Sequence, residues 1–169
     1  LYGYESSSGI SDRIVEPYYF KPSINAIVAF DLDRNSNREF KINRFHKIEI
    51  IDKKWKNESK HLANPKTDIF HIMESENQKG TKIVLEFDNY VKNLLFEEFP
   101  DAKRLEESPK SGERIFLVDK ETGKWRLETT VFSYAGITRF YLGLAHRITI
   151  VEGDQLKEHI RKYISSINV

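Results

Sequence analysis

"REFKINRFHKI", residues 38–48, sets Phe40, Ile42 and Ile48, followed by Ile50, on one side of a two-residue alternation, which is the pattern of a half-buried strand. Arg44 and His46 fall on that same side, so a regular strand would aim a permanently charged guanidinium at a core. One extra residue removes the conflict. A bulge near Asn43 or Arg44 slips the phase by one, turns Phe45 inward and Arg44 outward, and leaves Arg44 at a kink of the sort that re-aims side chains toward sites. The stretch thus predicts a long, bent strand over 38–52.

The preceding residues suit a curved β framework. "LYGYES" alternates, "SSSGISD" has loop composition, and "RIVEPYYF" reads as a strand in which Pro17 marks an edge or a bulge. "NAIVAFDL" is a nearly continuous apolar run, as in a buried strand, and "DRNSNR" is a hairpin connection. With no helical period in sight, residues 1–53 predict a small, strongly bent barrel. Residues 54–80 are polar and irregular and read as a linker that packs locally, with "DIFHIM" as one helical turn capped by Asp68.

From residue 81 the periodicity changes. "TKIVLEF" alternates as a strand; Asp88 then caps "NYVKNLLFEEF", whose Val91, Leu94, Leu95 and Phe99 share a helical face, and Pro100 stops it. "RIFLVD" and "WRLETTVF" are strands joined around "KETGK", where Gly123 suits a tight turn. "GITRFYLGLAH" is a helix with Ile137, Phe140, Tyr141 and Leu144 inward, "RITIVE" a strand, and "GDQLKEHIRKYISSI" a helix with Leu156, Ile160, Tyr163, Ile164 and Ile167 inward. The order β-α-β-β-α-β-α over 81–169 is the split βαβ, ferredoxin-like pattern with a terminal helix added. The fold class expected is α+β.

The chain's 169 residues carry no cysteine and no apolar run of membrane-spanning length, so disulfides, thiolate metal sites and a helical span are not expected, and the cytoplasm is the expected compartment. Net charge is +1, which leaves no whole-surface basic field; an anion site must be a local concentration of charge. One exists between Arg34 and Lys47, where Arg34, Arg38, Lys41, Arg44 and Lys47 face a single acid, Glu39. The five histidines lack metal-ligand spacing, the glycines form no phosphate-cradling loop, and the serines of "YESSSG" have no identifiable base. No catalytic residue, metal or cofactor is therefore assigned. Tyr18, Tyr19 and Phe20 could stack on bases, although half-in, half-out packing is the commoner fate of such a triplet.

"SSSGISDRIVEPYYF" and "NAIVAFDLDRNSNREFKINRF" together resemble the WYL domain of bacterial transcription regulators. That family shows, in this order, an R-x-x-x-P segment, a W-Y-L strand ending in an acidic turn, and an R-x-F-x-x-x-R strand. Here they are Arg13 with Pro17, "NAI" at 25–27 leading into Asp31, and Arg38, Phe40 and Arg44 followed by Phe45. Residues 81–167, including "RFYLGLAHRITIVEGDQLKEHI", resemble the WCX extension that follows such domains. The resemblance implies an Sm/SH3-like β-barrel over 1–53 that senses an anionic ligand, such as single-stranded nucleic acid or a nucleotide, through Arg13, Arg38 and Arg44, with Tyr4 added. Lys41 joins them on the charge argument alone.

It also implies a homodimer, no membrane association, and DNA contacted through a helix-turn-helix region outside these residues, the chain being the C-terminal portion of a longer regulator. The departure is at Asn25 and Ala26, which replace the Trp and Tyr of the name-giving triplet. An alternative follows from it: a non-sensing scaffold for protein interaction and dimerisation.

Overall fold

A computed structural model of the chain describes residues 1–22, 25–75, 79–109 and 112–167. The fold is α+β, with antiparallel sheets throughout, and it divides into two units, Leu1–Pro65 and Lys66–Val169.

The first unit contains the hairpin β1 (Tyr4–Ser6) and β2 (Gly9–Ser11), and the meander β3 (Val15–Lys21), β4 (Ala26–Asp31) and β5 (Ser36–Lys41). The β3/β4 register shifts between Pro17 and Tyr19, at the proline that the sequence marks for a bulge. The central strand β4 is buried on both faces: Ala26, Val28 and Phe30 on one side, Ala29 and Asp31 on the other. This explains its unbroken apolar run. A small core joins Tyr4, Ala29 and Phe40, with Leu1, Val15, Ile27 and Phe45 packed against it.

Two expectations are corrected here. Among the described residues the strands form separate two- and three-stranded sheets and do not close into a barrel. The strand expected over 38–52 ends at Lys41, and beyond the single bridge between Tyr2 and Lys47 the chain 48–53 joins no ladder, leaving Ile48, Ile50 and Ile51 exposed. Within the stretch 54–80, Lys56, Asn57 and His61 bind Glu16 of the first unit, while Ile69 and Phe70 enter the core of the second.

In the second unit β6 (Thr81–Phe87), β7 (Arg114–Asp119), β8 (Lys124–Val131) and β9 (Ile148–Glu152) form one antiparallel sheet in the order β7-β8-β6-β9. Helix α1 (Asn89–Glu98) connects β6 to β7, by way of a 3-10 turn at Pro100–Lys103 and the short α2 (Arg104–Glu107), and α3 (Tyr134–Leu144) connects β8 to β9. Asp88 caps α1 as its sequence predicts, accepting from Val91 N–H at 3.0 Å. Gly123 adopts the positive φ of 65° that the hairpin requires.

The core takes Ile83, Leu85 and Phe87 from β6, Leu127 and Val131 from β8, Val91 and Leu95 from α1, Ile137 and Phe140 from α3, and Leu156 and Ile160 from α4 (Asp154–Ser165). The end of α4 and the residues after it depart from the reading: Tyr163, Ile164 and Ile167 lie beyond the core and are exposed. Asp68 organises the entry to this unit, its carboxylate accepting from the backbone N–H groups of Phe70, Ile72 and Phe132. Burial pushes its carboxyl up against those three donors.

Helix α3 approaches Phe70 so closely that a Cβ on Gly136 would lie 2.6 Å from Phe70 Cβ. Gly136→Ala gains about 1 kcal/mol of helix propensity but forces a stiff side-chain root aside, which costs about 1–3 kcal/mol. Net destabilisation is expected, read as an earlier urea midpoint in Trp125 fluorescence.

Candidate functional site

The conflict at Arg44 is resolved by a turn rather than a bulge. β5 stops at Lys41, and Ile42–Arg44 form a 3-10 turn, after which Phe45 returns to extended backbone. The turn is pinned at its start, where Ile42 N–H donates to Asn25 O at 2.9 Å, and just beyond its end, where Tyr2 O accepts from His46 and Lys47 N–H. As the phase argument requires, Phe45 packs inward, its ring 5.2 Å from Tyr4 and 6.4 Å from Phe40, and Arg44 is exposed. A 3-10 turn resets parity as a bulge does, by spending backbone outside the ladder.

The predicted site residues occupy different places. Arg38 shares the Phe40 face of β5, opposite Ala29, and is exposed. Lys41, three positions along the strand from Arg38, lies on the opposite face, beside Ala26. Arg44 is in the turn. Arg13 lies between β2 and β3, its backbone exchanging hydrogen bonds with Leu1. Tyr4 is buried, with its ring edge-on to Phe40 at 5.1 Å. Asn25, at a Trp position of the family pattern, has a left-handed backbone, and Ala26 is fully buried between Lys21 and Lys41.

Among the described residues no carboxylate pairs with Arg13, Arg34, Arg38, Lys41 or Arg44. In the second unit Arg104, Arg114, Arg126, Arg147 and Arg161 each have one, and Arg139 has none among the described residues. Two nearby carboxylates are engaged elsewhere. Asp31 Oδ1 accepts from the N–H groups of Asp33 and Arg34, and Glu39 pairs with Lys21 at 3.0 Å.

Glu16 is the most heavily bonded acid of the first unit. Its oxygens accept from Lys56 N–H at 2.8 Å, Asn57 N–H at 3.1 Å and Asn57 Nδ2 at 3.2 Å, and His61 Nε2 lies 3.2 Å away. His61 stacks on Tyr18 at 4.4 Å and meets the edge of Trp55. Burial pushes the Glu16 carboxyl up, but the donors of Lys56, Asn57 and His61 outweigh it and hold the pKa below the ordinary carboxylate value. This strap, residues 55–61, was invisible in the sequence because its anchor lies some forty positions away; the lone Trp55 in a polar stretch was its only signal. Of the aromatic triplet, Tyr18 is thus used internally, while Tyr19 and Phe20 are exposed.

Beside the strap a groove of about 730 Å³ opens, and Arg13 lines it; Arg38, Lys41, Arg44 and Tyr4 do not. Among the described residues no group of histidines and acids is placed to hold a metal ion, and no helix is long and apolar enough to cross a membrane.

No protein-family model matches the chain, and no curated protein matches it. Solved structures do. Proteasome accessory factor B/C (PafBC) of Arthrobacter aurescens aligns with 94% of this chain at 14% identity and a TM-score of 0.34. The chain spans 23% of that protein's length. At such a score the match says nothing about the site.

Proposed function

We propose that this chain is the ligand-sensing and dimerisation region of a bacterial DNA-binding transcriptional regulator, acting by binding an anion and not by turnover, in the cytoplasm. The reading rests on the ordered WYL-like motifs together with one observation: among the described residues the arginines of the first unit stand without carboxylate partners. Guanidiniums held on a β framework offer phosphate oxygens paired, charge-assisted hydrogen bonds, and Arg38 and Arg44 are the exposed pair that flanks the end of β5. The ligand class is single-stranded nucleic acid or a nucleotide.

The five short strands of the first unit would be an opened Sm-like framework, and the sheet order β7-β8-β6-β9 with crossover helices supports a ferredoxin-like second unit. DNA would be contacted through a helix-turn-helix region elsewhere in a longer protein, and two copies would associate. For binding to act as a switch, the ligand must favour one arrangement of the regulator; equal affinity for both would shift nothing.

The test is titration of a labelled short single-stranded oligonucleotide, and of a nucleotide, at two salt concentrations. Each lost charged hydrogen bond is worth about 1.5–3 kcal/mol, so Arg38→Ala with Arg44→Ala should weaken salt-sensitive binding by more than about a hundredfold. The melting temperature should hardly move, since neither side chain has a carboxylate partner among the described residues. Unaltered binding in the double variant would remove the site assignment. The scaffold reading is favoured by Asn25 and by the fully buried Ala26, which leave the family's Trp-Tyr contact unavailable. Thermal stabilisation of the unmodified chain by any nucleotide would count against it.

A further inference from the structure

The groove beside the strap is walled by Ile14, Val15, Leu32, Ile48, Ile51 and Trp55. Four of these are large apolar side chains roughly half exposed to water: Ile14 at 48%, Ile48 at 54%, Ile51 at 46% and Trp55 at 46%. Its volume, about 730 Å³, lies in the range of small-molecule sites. A concave apolar surface of this kind gains by being filled.

The rim is charged asymmetrically in what it leaves unengaged. Arg13, Lys53, Lys54 and Lys56 line the groove, and none pairs with a carboxylate among the described residues. Of the lining acids, Glu49 is paired with Lys47 and Glu16 is buried with its oxygens occupied by the strap. Asp12, which accepts from Gly3 N–H at 2.9 Å, and Asp33 are the two lining acids left against the four cations.

We propose that this groove binds an amphipathic small-molecule anion, an aliphatic chain ending in a carboxylate, with the chain against Leu32, Ile48, Ile51 and Trp55 and the head among the rim lysines and Arg13. The site goes beyond the nucleic-acid reading, because Arg38, Lys41 and Arg44 take no part in it. A long saturated chain fills the apolar walls without polar atoms to desolvate, and the carboxylate meets long, flexible cations at a rim open to water.

The probe is dodecanoate below its micellar concentration, followed by Trp55 fluorescence in the Trp125→Phe chain, where Trp55 is the remaining indole. Dodecanol and dodecyl trimethylammonium are the neutral and cationic comparisons. A saturable response to dodecanoate is expected, at least about tenfold tighter than to either comparison, a tenfold step being one ion pair's worth at a partly desolvated rim. Leu32→Asp, and separately Lys53→Glu with Lys54→Glu, should each weaken it about tenfold or more. These positions are exposed, and Ile50→Asp, at a residue 99% exposed on the groove's lip, serves as a further variant where far-UV circular dichroism finds any of them misfolded. Arg38→Ala with Arg44→Ala should leave dodecanoate affinity unchanged, so this site and the proposed anion sensor fail separately. No saturable response, equal or tighter binding of the neutral or cationic amphiphile, or full affinity in the folded Leu32 or Ile50 variant would overturn the proposal.

Discussion

Glutamine in place of Glu16 is expected to lower the stability of the first unit by about 2–3 kcal/mol, the cost of leaving buried donors facing an amide in place of a charged acceptor. Glu16 is 6% exposed, and two backbone N–H groups of the strap depend on its two oxygens. A glutamine offers one acceptor oxygen and turns an NH2 group toward the donors that the other oxygen served. Urea unfolding followed by Trp55 fluorescence measures the loss. The same acid predicts a pH dependence. Its folded pKa is depressed, so its contribution is complete above the ordinary carboxylate range and is lost as pH falls through the depressed value. The wild-type midpoint should therefore drop on acidification through that window, and the drop should be smaller in the glutamine variant. Parallel acid curves for the two proteins would mean that Glu16 does not hold the strap.

Phe40→Ala should be the most damaging substitution in the first unit. Phe40 is 1% exposed and joins Tyr4, Ala29 and Phe45 in a small core. Truncating a buried phenylalanine costs about 3–5 kcal/mol through lost transfer free energy and the cavity left behind. A unit of this size has little stability beyond that figure. Loss of the Trp55 transition at room temperature is expected, with the Trp125 transition retained, since the core of the second unit shares no residue with the first. An intact Trp55 transition would show that Phe40 is not central and that the reset of parity at Ile42–Arg44 does not organise this core.

The second unit was legible because its local signals agree with its tertiary partners. Asp88 before an apolar face, Gly123 between two alternating runs and the change from period two to period three-point-six each say what the packing confirms. The first unit was legible only as far as alternation reaches. Parity foretold that Phe45 would turn in and Arg44 out, but it names a face and not a neighbouring strand, so it carried the ladder past Lys41 into residues whose one bridge, among the described residues, is Tyr2 with Lys47. The same arithmetic applied to the basic cluster would have separated Arg38 from Lys41, whose odd spacing puts them on opposite faces of β5. Clustering along the chain is not clustering in space. The Glu16 strap and the apolar groove join residues too far apart in sequence for any local pattern to pair. The end of α4 errs the other way: its apolar stripe continues to Tyr163 and Ile164, which are exposed.

Along β4 hardly a side chain reaches water, while β3 and β5 on either side of it keep exposed positions. Sequence drift in this unit therefore has its freedom on the outer strands and in the connections. The segment from Ala26 to Asp31 is a spine on which a change of size or polarity in either direction meets packed atoms, so variation in this unit would have to be written around it.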